Sequence, residues 1–171
     1  MKRILLITGG QRSGKSAYAE ERALALSGHP VYVATAHVDK DDAEFCRRVA
    51  RHRQRRGEQW TTVEEELQLG SLDMTGRTVL VDCVTLWCTN FFMACDCDTD
   101  RARAAMEQEF DQFTRHDAQY IFVTNEIGLG GISGNAVQRR FTDLQGFMNQ
   151  YIARLADEVV LMISGIPMQI K

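Results

Sequence analysis

Gly9-Gly10-Gln11-Arg12-Ser13-Gly14-Lys15-Ser16 lies between the apolar run Ile4-Leu5-Leu6-Ile7 and the stretch Ala17-Tyr18-Ala19-Glu20-Glu21-Arg22-Ala23-Leu24. A buried strand feeding a glycine loop that opens a helix is the setting a phosphate loop requires. Gly9 and Gly14 bracket a turn that can aim consecutive backbone N–H groups inward. Lys15 supplies a point charge for β- and γ-phosphates, and Ser16 can hold Mg2+. A nucleoside triphosphate is therefore the expected ligand. The competing reading is a chance glycine-rich turn, which four fixed positions with a strand before and a helix after make rare.

Working outward, Val31-Tyr32-Val33-Ala34-Thr35-Ala36 reads as a second strand after the breaker Gly28-His29-Pro30. Residues 39–56 read as a helix with Asp41 and Asp42 in its first turn and Phe45, Val49 and His52 along one face. Trp60 to Val63 reads as a short strand, Thr78 to Asp82 as a buried strand ending in a carboxylate, and Thr85 to Met93 as a helix. Cys95 to Asp100 is turn-like, Arg101 to Arg115 is an amphipathic helix, and Tyr120 to Thr124 is another buried strand. A glycine-rich loop from Asn125 to Gly134, a helix from Gln138 to Ala156, a strand from Val159 to Ile163 and a short tail, Met168 to Lys171, complete the chain. Strands apolar on both faces and separated by helices predict an α/β fold, a mostly parallel sheet with helices on both faces. At 171 residues and 44% apolar content, one domain spanning 1–171 is expected.

The net charge of −3 gives no general reason to expect nucleic acid or an anionic membrane as partner. No apolar stretch approaches the ~20 residues of a membrane span, and Met1-Lys2-Arg3 leads straight into the first strand, so a cytoplasmic protein is expected. Five cysteines make no even disulfide framework. Cys95-Asp96-Cys97 is at most half a metal site, since no second Cys/His pair stands at ligand spacing, and free thiols are the plainer reading.

Ligands of such a sheet gather at the carboxyl ends of its strands. Asp82, after Val79-Leu80-Val81, occupies the place of the carboxylate that orients Mg2+ or its waters in phosphate-loop proteins, unless it is simply a solvated strand end. Thr35 and Asn125-Glu126 also end strands and are expected to share one cleft with it. The segment Arg47-Arg48-Val49-Ala50-Arg51-His52-Arg53-Gln54-Arg55-Arg56 concentrates arginines that can grip phosphate oxygens bidentately. Its alternatives are a solvated helix face or an RNA-binding stripe; the acidic balance and the absence of interleaved aromatics speak against RNA. His52, taken alone, reads as structural more readily than catalytic.

The phosphate loop Gly9 to Ser16, His52-Arg53 with Trp60, Val81-Asp82-Cys83-Val84-Thr85-Leu86-Trp87, Val123-Thr124-Asn125-Glu126-Ile127-Gly128 and Ser164-Gly165-Ile166-Pro167 occur in an order that covers nearly the whole chain. Together they resemble the bifunctional adenosylcobinamide kinase / adenosylcobinamide-phosphate guanylyltransferase family of cobalamin biosynthesis. The resemblance implies a RecA-like P-loop NTPase fold and two reactions. One phosphorylates the aminopropanol hydroxyl of adenosylcobinamide with ATP or GTP; the other transfers GMP from GTP to the resulting phosphate through a histidine, matched here by His52. It further implies nucleotide contacts from the loop, from Ala34-Thr35-Ala36 and from Arg53, Gln54, Arg55 and Arg56, with Glu64 and Asp82 completing the site, and a homotrimeric assembly. A neutral imidazole suits the covalent role, and neighbouring Arg51 and Arg53 favour that form. Glu64 can accept from a guanine N1–H and amine. Two other readings stay open: a simple small-molecule kinase with a structural His52, and a non-enzymatic nucleotide-binding regulatory module.

Overall fold

The computed structural model describes residues 1–37 and 43–171, save the side chains of Phe45, Arg48, Arg51, His52, Arg53 and Arg55. The first apolar run becomes β1 (Arg3–Gly9), followed by α1 (Lys15–Leu26) and β2 (Val31–Ala34). Then come α2 (Ala43–Arg55), β3 (Thr61–Glu64), β4 (Thr78–Asp82) and α3 (Val84–Ala94). The chain closes with α4 (Thr99–Phe113), β5 (Gln119–Val123), α5 (Ala136–Leu155), β6 (Glu158–Ile163) and β7 (Ile166–Gln169). Asp39, Asp41 and Asp42, expected at the start of the second helix, lie outside the described residues.

The strands form one sheet in the order β3-β2-β4-β5-β1-β6-β7. All pairings are parallel except β6 with β7. Both faces of the central strands are covered, which is why they read as unbroken apolar runs. On one face Leu5, Ile7, Tyr32, Leu80, Ile121 and Val123 pack with Ala19 and Ala23 of α1. On the other, Ile4, Leu6, Val79, Val81 and Phe122 meet Trp87 of α3, Met106 and Phe110 of α4, and Leu144 and Met148 of α5. Large side chains of this kind stabilise by about 1.5–3 kcal/mol each when fully buried. The polar handles inside are satisfied: Trp87 donates to the Leu67 carbonyl at 3.1 Å and Tyr120 to the Phe113 carbonyl at 2.7 Å. This is the α/β architecture, mostly parallel and helix-covered on both faces, that the sequence predicts.

Two helices start earlier than the apolar periodicity indicates, because capping side chains set their ends. Asp98 accepts from the Arg101 N–H, so α4 begins at Thr99. Asn135 accepts from the N–H groups of Val137 and Gln138, so α5 begins at Ala136. The larger departure is β7, where only a short tail was expected. Ser164 (φ 52°) and Gly165 (φ 82°) make a two-residue turn that pairs Ile163 with Ile166. Pro167 is tolerated there because β7 is an edge strand.

Candidate functional site

The loop after β1 is shaped by three unusual backbone positions: Gly9 (φ 150°), Arg12 (φ 56°) and Gly14 (φ 96°). A side chain at Gly9 is excluded twice over, since a Cβ there would lie 2.5 Å from the Met162 carbonyl oxygen and 2.9 Å from Ser13 Oγ. Gly14 caps α1 with no side-chain hydrogen bond. The first-turn amides of that helix have no intrahelical partner by construction, and an anion is what they suit. Gly10, Gln11 and Arg12 are exposed, Ser13 and Lys15 are buried, and Ser16 is half-buried at the start of the helix. Lys15 Nζ folds back over the loop, donating to the Gly10 carbonyl at 2.6 Å and lying 3.4 Å from Ser13 Oγ. A cation beside the first-turn amides of a helix is the electrostatic core of a phosphate cradle. The β6–β7 turn clamps the loop from outside: Gly165 N–H donates to the Ser13 carbonyl at 2.9 Å, and a Cβ on Gly14 would meet Gly165 Cα at 3.2 Å.

Two strands away, Asp82 ends β4 in register with Ala34 of β2. Its Oδ2 accepts from the Tyr32 hydroxyl at 3.1 Å. Burial, reinforced by the Asp82 charge, raises the Tyr32 phenol far above its ordinary range, so it remains a donor. The Arg56 guanidinium lies 3.5 Å from the centroid of the Tyr32 ring, and Trp60 meets that ring edge-on at 6.1 Å. One guanidinium nitrogen of Arg56 is buried with no hydrogen-bond partner among the described residues. Arg56, Gly57, Trp60, Thr62 and Glu64 line an open groove of about 580 Å³. The structure thus joins the end of the arginine segment to the strand-end carboxylate through Tyr32, a residue the sequence reading did not single out. Its position two residues before Ala34 was the available signal, because alternation puts it on one face of β2.

Thr35 stands just past the end of β2, beside Asp82 at the end of β4. It is 0% exposed, and its hydroxyl donates to the Cys83 carbonyl at 2.8 Å while accepting from the Cys83 N–H at 3.1 Å. The side chain braces the ends of β2 and β4 beside Asp82. Asn90 of α3 adds a second brace, donating to the carbonyls of Thr35 at 2.7 Å and Glu66 at 2.9 Å. Ala34 and Ala36 are half-buried at the same edge; Gln54 and Glu64 are exposed. His52, Arg53 and Arg55 fall on α2, and their side chains lie outside the described residues.

The expectation of one cleft shared by all strand ends is corrected by side-chain parity. Asp82 faces the α1 side with Tyr32, whereas Glu126 faces the α5 side, bonded to Thr8 Oγ1 at 3.0 Å and Asn149 Nδ2 at 2.9 Å. Both stand at the carboxyl edge, on opposite faces of the sheet. Among the described residues no group of three or more His, Cys, Asp or Glu stands close enough to hold a metal. Ser16 at the start of α1 and Asp82 at the end of β4 both stand at this carboxyl edge. The five cysteines are free, Cys95 and Cys97 included. Among the described residues no helix is long and apolar enough to cross a membrane.

The family model described as cobinamide kinase / cobinamide phosphate guanyltransferase (CobU) matches residues 5–170. The chain is 42% identical over 171 residues to the bifunctional adenosylcobalamin biosynthesis protein CobP of Pseudomonas aeruginosa, covering 97% of this chain and 96% of that protein. It is 37% identical to the bifunctional adenosylcobalamin biosynthesis protein CobU of Escherichia coli and 36% identical to its namesake from Salmonella typhimurium. Each of these alignments covers 98% of this chain and 99% of the relative.

Proposed function

The chain belongs to the cobinamide kinase / cobinamide phosphate guanyltransferase family, and from that premise we propose that one domain, residues 1–171, carries both activities in the cytoplasm. The observation that carries the reading is the phosphate loop itself, an uncapped helix start with Lys15 drawn inside it. In the first reaction the aminopropanol hydroxyl of adenosylcobinamide attacks the γ-phosphate of ATP or GTP. Loop amides and Lys15 hold the transferring group and take up its charge, as phosphoryl transfer requires. Ser16 and Asp82 are the residues that would hold Mg2+, which would supply further neutralisation of the phosphate charge.

In the second reaction His52 attacks the α-phosphate of GTP. An N–P bond forms, the bond from Pα to the bridging oxygen breaks, and pyrophosphate leaves. An oxygen of adenosylcobinamide phosphate then attacks the same phosphorus and frees the imidazole, giving adenosylcobinamide-GDP. In this reading Arg53, Gln54, Arg55 and Arg56, which follow His52 in the chain, bind phosphate oxygens, and Glu64, which lines the groove with Arg56, accepts from guanine. Glu64→Gln then relaxes GTP over ATP selection; unchanged discrimination contradicts that role. Assembly as a homotrimer belongs to the proposal, with light scattering at three times the monomer mass as its check.

The test is product analysis with purified protein, Mg2+, adenosylcobinamide and GTP: mass spectrometry is expected to show the phosphate first and the GDP derivative after it. Lys15→Ala should lower phosphoryl transfer by about 10²–10³-fold, the usual cost of removing one charge-stabilising group. Turnover close to the parent would contradict the role given to the loop.

A further inference from the structure

On the α5 face of the sheet a cluster of polar side chains converges beneath the start of the phosphate loop. Thr8, Thr124, Gln145 and Asn149 are all buried. Asn149 Oδ1 accepts from Thr124 Oγ1 at 2.7 Å and Gln145 Nε2 at 2.9 Å, and Gln145 Nε2 also donates to Thr124 Oγ1 at 2.9 Å. With its oxygen loaded by two donors, Asn149 must present its amide N–H groups outward. They go to the Asn125 carbonyl at 3.1 Å and to Glu126 Oε1 at 2.9 Å. Thr8 Oγ1 donates to the same Oε1 at 3.0 Å, and the Glu126 N–H donates to the carbonyl of Gly9, the residue that opens the loop, at 3.1 Å.

Burying a polar cluster is costly unless its members satisfy one another. Here Thr8, Thr124, Asn149 and the Gln145 amide nitrogen do so while fixing a single carboxylate oxygen, and of the cluster's buried side-chain atoms only Gln145 Oε1 is left without a partner among the described residues. Glu126 Oε2 has no hydrogen-bond partner, and Glu126 no paired cation, among the described residues. A brace for the loop would need only a neutral acceptor; the second, charged oxygen is surplus to it. Glu126 stands on the face opposite Asp82 and the Arg56 groove, and the loop that follows it exposes Leu129 (83%) and Ile132 (91%). In-line displacement places attacking and leaving oxygens on opposite sides of phosphorus. An acceptor with an apolar body entering from the α5 face meets that demand when the nucleotide lies toward the α1 face.

We infer that Glu126 is the catalytic base of the phosphoryl-transfer reaction, taking through Oε2 the proton of the acceptor alcohol. As the O–Pγ bond forms, the proton moves to the carboxylate and the Pγ–O–Pβ bond breaks, its electron pair leaving with the nucleoside diphosphate. Water then recovers the proton. Guanylyl transfer has no such requirement, because its nucleophiles are a neutral imidazole and a phosphate oxygen. The inference rests on the kinase reading, and the experiment separates the two.

Glu126→Gln keeps an Oε1 acceptor for Thr8 and Asn149 and removes only the base. Two readouts are taken on the full chain: phosphate transfer from γ-labelled ATP to adenosylcobinamide, and covalent labelling of the protein by α-labelled GTP. Glu126→Gln is expected to lower kcat for transfer by about 10²–10⁴-fold, the span of general-base effects, with the KM for ATP and the extent of covalent labelling unchanged. Thr8→Val, which loosens Oε1 without removing the base, is expected to lower kcat by about threefold to tenfold at the same KM, the equivalent of one modest hydrogen bond. Transfer by Glu126→Gln within threefold of the parent, or loss of transfer and labelling together, overturns the assignment. A parent protein that transfers no phosphate overturns the kinase reading and this inference with it.

Discussion

Replacing Thr35 with valine removes a hydroxyl and nothing else of size. The hydroxyl accepts from the Cys83 N–H at 3.1 Å and donates to the Cys83 carbonyl at 2.8 Å, at a position that is 0% exposed. The carbonyl keeps the Trp87 N–H, which donates to it at 3.2 Å, so the loss falls on the Cys83 N–H. An unsatisfied buried donor costs about 1–3 kcal/mol. Taking about 2 kcal/mol, a chain of this length should melt about 4–8 °C lower. Since Asp82 precedes Cys83, its carboxylate shifts as well, and phosphoryl transfer should fall with stability. Thr35→Ser keeps the hydroxyl and should lose only about 1 kcal/mol for the missing methyl, with transfer near the parent rate. Scanning calorimetry together with the γ-labelled transfer assay measures both. A Thr35→Val protein that melts within 1 °C of the parent (a negligible shift), yet binds nucleotide more weakly, would refute the brace and favour a direct contact.

Glu158 receives both guanidinium nitrogens of Arg22 at 2.9 and 2.8 Å, a bond that holds its carboxyl below the usual range. A depressed carboxylate contributes stability that is present above its unfolded value near ~4.3 and lost as pH falls through the folded value. Glu158→Gln should therefore melt lower than the parent at pH 7 by the equivalent of about 1 kcal/mol, allowing for partial exposure. The gap should close in acid, and a gap that widens there contradicts the pairing. Among the thiols, burial pushes Cys83 up to about 12 and raises Cys88 further. Alkylation of the native protein followed by peptide mass spectrometry should modify Cys95 and Cys97 and spare both of these; equal rates at Cys88 and Cys97 contradict its burial.

The phosphate loop was legible because its demands are local: Gly9 and Gly14 are required by backbone angles and close approach within one turn. The buried strands were legible because a doubly covered sheet leaves no polar alternation. What escaped depends on pairings distant in sequence. Thr35 was visible as a strand end, but its partner Cys83 stands 48 residues away. Tyr32 meets Asp82 across 50 residues. The single-cleft expectation failed because facing depends on register: Asp82 lies opposite Val123, the last residue of β5, so the next side chain, Thr124, points to the other face. β7 was missed because Pro167 reads as a breaker, and only its position at the sheet edge makes a strand permissible. The motif Ser164-Gly165 carried a reason invisible in sequence, its hydrogen bond to the phosphate loop.

The account turns on two chemistries sharing one nucleotide loop, and His52 is where they part. Incubating the full chain with Mg2+ and GTP labelled at the α-phosphate, then denaturing it, should leave label on the protein in an acid-labile, base-stable bond. His52→Ala should lose that label while still phosphorylating adenosylcobinamide. Absence of label on the parent, or labelling undiminished in His52→Ala, contradicts a guanylylated His52.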